Sequence, residues 1–170
     1  MTRKILLTSF NTWLPHQTSN SSDDLLSEIA HYNFLYLSLT LVRQLPVDVH
    51  LSSFCVTAKI NEIQPDGIIC CGMAESRTKL SVETNAACKD AVLKTSVDLE
   101  QLLAGSSEIE ISHDAGKFVC EGLYYSVLKY LSDRQMNSRC IFVHVPILTQ
   151  HNLSQIKANF LLIIRRLLNS

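Results

Sequence analysis

Charge is scarce in this chain of 170 residues: Lys and Arg number 15, Asp and Glu 16, so charged residues make up 18% and the net charge is -1. There is no basic block, which argues against a nucleic-acid partner. Long apolar runs are also lacking. MTRKILLTSF carries one short run that ends in polar residues, too short for the core of a signal peptide or for a membrane span. Among the six cysteines, at 55, 70, 71, 88, 120 and 140, no pair shows zinc-knuckle spacing. His50, His113, His144 and His151 show no short ligand spacing either, so no metal site is expected. The stretch from Gly72 to Arg77 lacks the second glycine and the Lys-Ser/Thr end of a phosphate loop. Internal repeats, low-complexity segments and interdomain linkers are missing too. Without an export signal, the expectation is a cytoplasmic protein with its thiols reduced and no membrane attachment. The length suits one domain over residues 1–170.

What is present is a core: 46% of the residues are hydrophobic. Lys4 to Phe10 (KILLTSF) is a continuous apolar run, which predicts a central parallel strand buried on both faces. Asn11 to Ser22 reads as a loop, with Trp13 as an anchor against the core. Ser22 or Asp23 then caps a long helix whose face runs Leu25, Ile29, Tyr32 and Tyr36, continues through Leu35, Leu39 and Val42, and stops before Pro46. Val47 to Leu51 is expected as a strand, with apolar character reaching Val56. Ile60 to Ile63 before Pro65-Asp66 marks a helix end and turn. Gly67 to Met73 (GIICCGM) predicts a second buried strand. Leu80 to Thr84 alternates, as a strand with one wet face does. Cys88 to Gly105 is ambiguous, with a short helix around Val97, Leu99, Leu102 and Leu103.

Ser112 to Tyr125 (SHDAGKFVCEGLYY) follows the alternating Ile109-Glu110-Ile111. It turns through Asp114, Ala115 and Gly116 into a helical pattern of Val119, Leu123, Val127 and Leu131. Cys120 therefore falls in the first turns of a helix, where backbone N–H groups and the dipole favour a thiolate. Cys140 to Val145 is a third buried strand, stopped by Pro146, and it carries His144. A last helix runs through Leu153, Ile156, Phe160, Ile163, Ile164 and Leu167, with Arg165 and Arg166 near its end. Buried strands alternating with amphipathic helices predict an α/β fold, a three-layer α/β/α sandwich with a largely parallel central sheet. Sites in such sheets form at the C-terminal ends of strands, where Phe10, Gly72 and His144 lie, with Cys120 just beyond one. A Cys–His pair is what a cysteine hydrolase uses, and it needs an acid to orient the imidazole. Glu83, Asp90, Asp114 and Glu121 are candidates. On residues alone, Cys120 also suits plain packing and His144 a hydrogen-bonded core position.

Three ordered segments resemble the pyroglutamyl peptidase I family, the pyrrolidone-carboxylate peptidases of the C15 cysteine type. PDGIICCGMAESRTKLSVET is similar to the family's strand, glycine, Arg and catalytic Glu segment; SHDAGKFVCEGLYY is similar to its nucleophile segment; FVHVP is similar to its His-Val-Pro segment. The resemblance implies a triad of nucleophile Cys120, base His144 and acid Glu83. It makes Arg77 the family's arginine at the substrate site and Phe10 a pocket phenylalanine. The implied substrate is a small peptide beginning with pyroglutamate. Phe10, Trp13 and Phe118 would sandwich its ring, and backbone near Met73 would read its amide edge. The implied chemistry needs no cofactor. Members of the family often associate, so a homo-oligomer is open.

The chain also departs from the pattern. Thr12-Trp13-Leu14-Pro15 replaces a Gly-rich loop, which puts Trp13 at a second pocket phenylalanine. Ser9 replaces a glycine, Thr84 an arginine, and Glu121 the usual Asn or Asp. CKDAVLKTSVDLE stands where the family has an Arg-containing substrate loop. These changes leave open a divergent hydrolase of another small amide, or a non-catalytic binding relative.

Overall fold

A computed structural model describes residues 2–169. The elements run β1 (Arg3–Phe10), α1 (Ser21–Ile29), β2 (Leu37–Leu45), α2 (Val49–Ile63), β3 (Gly67–Met73), β4 (Leu80–Glu83), β5 (Asn85–Cys88), β6 (Ala91–Lys94), α3 (Leu99–Leu102), β7 (Ile109–Ser112), α4 (Val119–Asp133), β8 (Arg139–Val145) and α5 (Leu153–Arg166). Six strands form one sheet in the order β2-β1-β3-β8-β4-β7, and β5 and β6 form a separate hairpin. Neighbours in the large sheet are parallel except β4, which runs antiparallel to β8.

Both faces of the sheet are covered, which is why the central strands are apolar throughout. On one face Ile5, Leu7, Ile69, Cys71, Ile141 and Val143 meet Leu25 and Ile29 of α1, Leu99 and Leu102 of α3, and Ile156, Phe160 and Ile164 of α5. On the other, Leu6, Phe10, Ile68, Cys70, Cys140 and Phe142 meet Val56 and Ile60 of α2 and Val119, Leu123, Val127 and Leu131 of α4. The alternation of odd and even positions between these two clusters is the period-2 signature of a strand. The architecture is the expected α/β/α sandwich. All six cysteines are free.

Three elements differ from the sequence expectation. The long helix stops at Ile29, and Leu37–Leu45 is an edge strand paired with β1. Leu37, Leu39 and Leu41 share one face and pack on the α5 side, while Val42 packs on the other. Asn20, not Ser22 or Asp23, caps α1, its side chain accepting from Ser22 N–H. The region expected as a strand from Val47 is instead α2, capped by Asp48, whose side chain accepts from Leu51 N–H. Only Ser52, Val56 and Ile60 of α2 are fully buried, and Phe54 is 73% exposed, so the apolar residues do not mark one face. β4 has no wet face: all four of its residues are buried.

One polar cluster locks the end of β1. Asp23, at the start of α1, accepts from Ser9 Oγ (2.7 Å), Arg43 Nε (2.8 Å), Arg43 Nη2 (2.9 Å) and Gln44 Nε2 (3.2 Å). β2 carries one extra residue opposite Thr8–Phe10, and Gln44 takes a φ of 55° there, its N–H donating to Ser9 Oγ. Burial alone would raise the Asp23 pKa, but the hydrogen bonds from Arg43, Ser9 and Gln44 outweigh it and hold the carboxyl below its ordinary 3.8. A lowered folded-state pKa means stability that is present above the unfolded value and lost as pH falls through the folded one. Asp23→Asn is therefore expected to lower unfolding free energy by about 2 kcal/mol at neutral pH. Urea unfolding should show the gap to wild type shrinking once the pH is taken well below 3.8.

Candidate functional site

β1, β3 and β8 are parallel neighbours, so their C-terminal ends, Phe10, Met73 and Val145, open on the same edge. A crevice at that edge is the usual outcome in such sheets. The turn after β7 delivers α4 to it. Gly116 sits at a φ of +89°, in the left-handed region that glycine tolerates, and its N–H donates to Asp114 Oδ1 at 2.9 Å. Phe118 then precedes α4 with no side-chain cap. The first N–H groups of α4 are thus left without a helical acceptor beside Cys120.

Cys120 lies tight against β3. A Cβ built on Gly72 would come 2.5 Å from Cys120 Sγ and 3.0 Å from Phe142 Cζ, so only glycine fits there. Two opposing effects act on the Cys120 thiol. Burial pushes the Cys120 thiol up, with Cys70 and Glu83 adding to it, from the ordinary 9.0 to about 12. That rise corresponds to about 4 kcal/mol against the thiolate. A helix terminus returns at most about 2 kcal/mol. Among the described residues no hydrogen bond joins the thiol to His144.

His144 and Glu83 do meet. Ser81 of β4 pairs with His144 of β8 across the antiparallel step, which puts Glu83 on the same face two residues along. His144 Nδ1 and Glu83 Oε1 are 2.7 Å apart. Glu83 is fully buried, its Oε2 has no partner among the described residues, and its backbone carbonyl accepts from Tyr124 Oη at 3.1 Å. The carboxylate can only accept, so Nδ1 carries the proton and Nε2 is free to act as a base. Phe142 packs on the His144 ring, with centroids 4.9 Å apart.

Cys120 and His144 line one cavity of about 190 Å³ together with the expected Phe10, Trp13, Met73 and Phe118. Trp13 and Phe118 form its mouth, ring centroids 4.5 Å apart and each about half exposed. The cavity is also lined by Asn20, Val47, Ala115, Gly116 and Val119, which the sequence did not single out. Asn20 had a readable signal, an Asn just ahead of Ser-Ser-Asp-Asp at a helix start. Val47 had none, because its segment reads as a strand. Arg77 does not line the cavity. Its guanidinium turns to Glu83, Ser81, Ser112 and the Asp114 carbonyl. The ambiguous stretch after Cys88 completes a hairpin with β5, and Glu121 pins it to α4 by accepting from Ala87 N–H at 3.1 Å. Among the described residues, no cluster of three His, Cys, Asp or Glu could hold a metal ion.

The close approach at Gly72 makes a specific prediction. Gly72→Ala should cost about 1–3 kcal/mol of stability through overpacking. Most of that cost should vanish when Cys120→Ala is present as well, as a double-mutant cycle by urea unfolding would show.

The family model "Pyroglutamyl peptidase" matches residues 99–161. The pyrrolidone-carboxylate peptidase of Thermoanaerobacter sp. is 27% identical over 131 residues, which cover 62% of this chain and 64% of that protein's length. Pyrrolidone-carboxylate peptidase 2 of Caldanaerobacter subterraneus is 25% identical over 171 residues, covering 85% and 82%. In fold, the chain superposes on pyroglutamyl peptidase I from Bacillus amyloliquefaciens with a TM-score of 0.86 at 20% identity, covering 99% of this chain and 96% of that one. The pyrrolidone carboxyl peptidase from Thermococcus litoralis gives 0.85 at 17% identity, covering 99% and 94%. Family model and relatives both point to the pyroglutamyl peptidase I family, the C15 peptidases, and the solved structures share this chain's fold.

Proposed function

We propose that this chain is a cysteine peptidase that removes pyroglutamate from the N-terminus of peptides. The observation that carries the proposal is the 2.7 Å bond between Glu83 and His144, with the histidine opening on the same small cavity as Cys120. A lactam ring has no charged amine. The cavity suits it, because His144 is the one ionisable side chain besides the thiol among its lining residues, and Phe10, Trp13 and Phe118 supply aromatic faces.

The high thiol pKa shapes the mechanism. At neutral pH Cys120 rests as a thiol, so the thiolate forms as its proton passes to His144 Nε2. Glu83 keeps Nδ1 protonated and stabilises the imidazolium. The sulfur attacks the pyroglutamyl carbonyl carbon, and the oxyanion is met by the uncapped N–H groups at the start of α4. The tetrahedral intermediate collapses as His144 protonates the leaving amine, which gives a thioester and a shortened peptide. Water then attacks the thioester with His144 as base, releasing pyroglutamate and restoring the thiol.

Chromophore release from a pyroglutamyl amide tests this reading. Wild type should turn over and Cys120→Ala should not, while Glu83→Gln should lose on the order of 10³–10⁴ in kcat. In His144→Ala, alkylation of Cys120 at neutral pH should be slower than in wild type, because no base remains to take the proton. A protein whose Cys120 labels with iodoacetamide faster than in His144→Ala but that releases no chromophore would instead be a hydrolase of another amide. A Cys120 that labels no faster than in His144→Ala, together with no turnover, would make it a binding protein.

A further inference from the structure

Glu83 carries more than one bond on a single oxygen. Its Oε1 accepts from His144 Nδ1 and from Arg77 Nη1, each at 2.7 Å, and Oε2 has no partner among the described residues. A buried carboxylate with one unsatisfied oxygen is free to rotate or to recruit a proton unless a neighbour fixes it. Arg77 is that neighbour. Nη1 also donates to Ser81 Oγ, while Nη2 donates to Ser112 Oγ at 3.2 Å and to the Asp114 carbonyl at 2.9 Å.

These partners lie on both sides of the acid. Ser81 faces His144 across the β4–β8 pair, and Ser112 faces Glu83 across the β4–β7 pair. Ser112 also accepts from Asp114 N–H at 3.3 Å, and Asp114 holds Gly116. One rigid guanidinium therefore spans the acid and the turn that feeds Cys120 into α4. The planar fork presents several donors in fixed directions, which a lysine ammonium cannot match.

We infer that Arg77 is a positioning residue rather than a substrate contact: it holds the Glu83 carboxylate on His144 and fixes the Ser112–Gly116 turn ahead of the nucleophile. The inference rests on the Cys120–His144–Glu83 reading above. The consequence for specificity is that the side chains touching the ring belong to the cavity wall, and the arginine sets rate without selecting substrate.

Arg77→Met and Arg77→Lys test it, with kcat and KM measured on the pyroglutamyl amide and thermal melting run alongside. Arg77→Met should lower kcat by about 100-fold, the scale of a small misplacement of reacting groups, with KM within about threefold. Arg77→Lys should recover less than a tenth of the lost rate. Site-resolved mass spectrometry of iodoacetamide labelling gives a second readout: Cys120 should label about tenfold more slowly in Arg77→Met. The exposed Cys55 and Cys88 serve as internal controls and should be unchanged. Ser112→Ala removes one contact and should give a few-fold loss in a folded protein, so a collapse of Arg77→Met does not end the test. A rise in KM with kcat preserved would overturn the inference, as would unchanged kcat and labelling. If wild type releases no chromophore, the proposed substrate fails, but the labelling comparison still decides the role of Arg77.

Discussion

A carboxylate with no access to water constrains the centre of this molecule. Glu83 is fully buried at the end of β4, and burying an uncompensated charge is among the more costly things a fold can do. The surroundings answer that cost with donors: an imidazole N–H and a guanidinium N–H on one oxygen. Tyr124 Oη takes up the backbone carbonyl of the same residue. The tyrosine comes from α4, the arginine from the connection before β4, and the histidine from β8. Satisfying one charge thus draws together a helix, a loop and two strands, and Cys120 rides on the same helix as Tyr124.

The reversal of β4 against β8 is what makes that convergence geometrically available. In an all-parallel sheet, neighbouring strands present their C-terminal ends side by side. Here β4 runs the other way, so Ser81 lies opposite His144 and Glu83 opposite Phe142. The polar side chains of β4 then fall on the face where Arg77 and His144 wait. This also explains why a strand that alternates like a half-wet one is dry on both sides. Its polar face is occupied by other protein groups instead of solvent.

The cavity wall is braced from two sides. Trp13 stands at the mouth against Phe118, held by a loop with no glycine-rich character. Gln17 Oε1 accepts from the N–H groups of Trp13 and Leu14, and Gln17 Nε2 donates to Glu75 beyond β3. On the other side the short hairpin of β5 and β6 leans on α4, pinned by Glu121. Through that one contact the first turn of α4, which carries Cys120, is tied to the hairpin.

The sequence by itself determined the continuous strands, β1, β3 and β8, because burial on both faces leaves an unbroken apolar run that few other structures use. It also determined the turn and helix around Cys120, where Asp114 and Gly116 encode the geometry within a few residues, and the final amphipathic helix. It could not decide Leu37–Leu45 or Val49–Ile63. Tyr32, Leu35, Tyr36, Leu39 and Val42 fit a helical spacing while Leu37, Leu39 and Leu41 fit an alternating one, and hydrogen bonding to β1 chose between them. In α2, exposed Leu51 and Phe54 blurred the face that Ser52, Val56 and Ile60 define. The site followed the same division. The chemical types of Cys120, His144 and Glu83 were readable from their segments. The cavity contacts of Asn20 and Val47, the turning of Arg77 away from the cavity, and the depth of burial at Cys120 were not. Each of those depends on burial and on partners remote in sequence, which only the packed structure brings within reach.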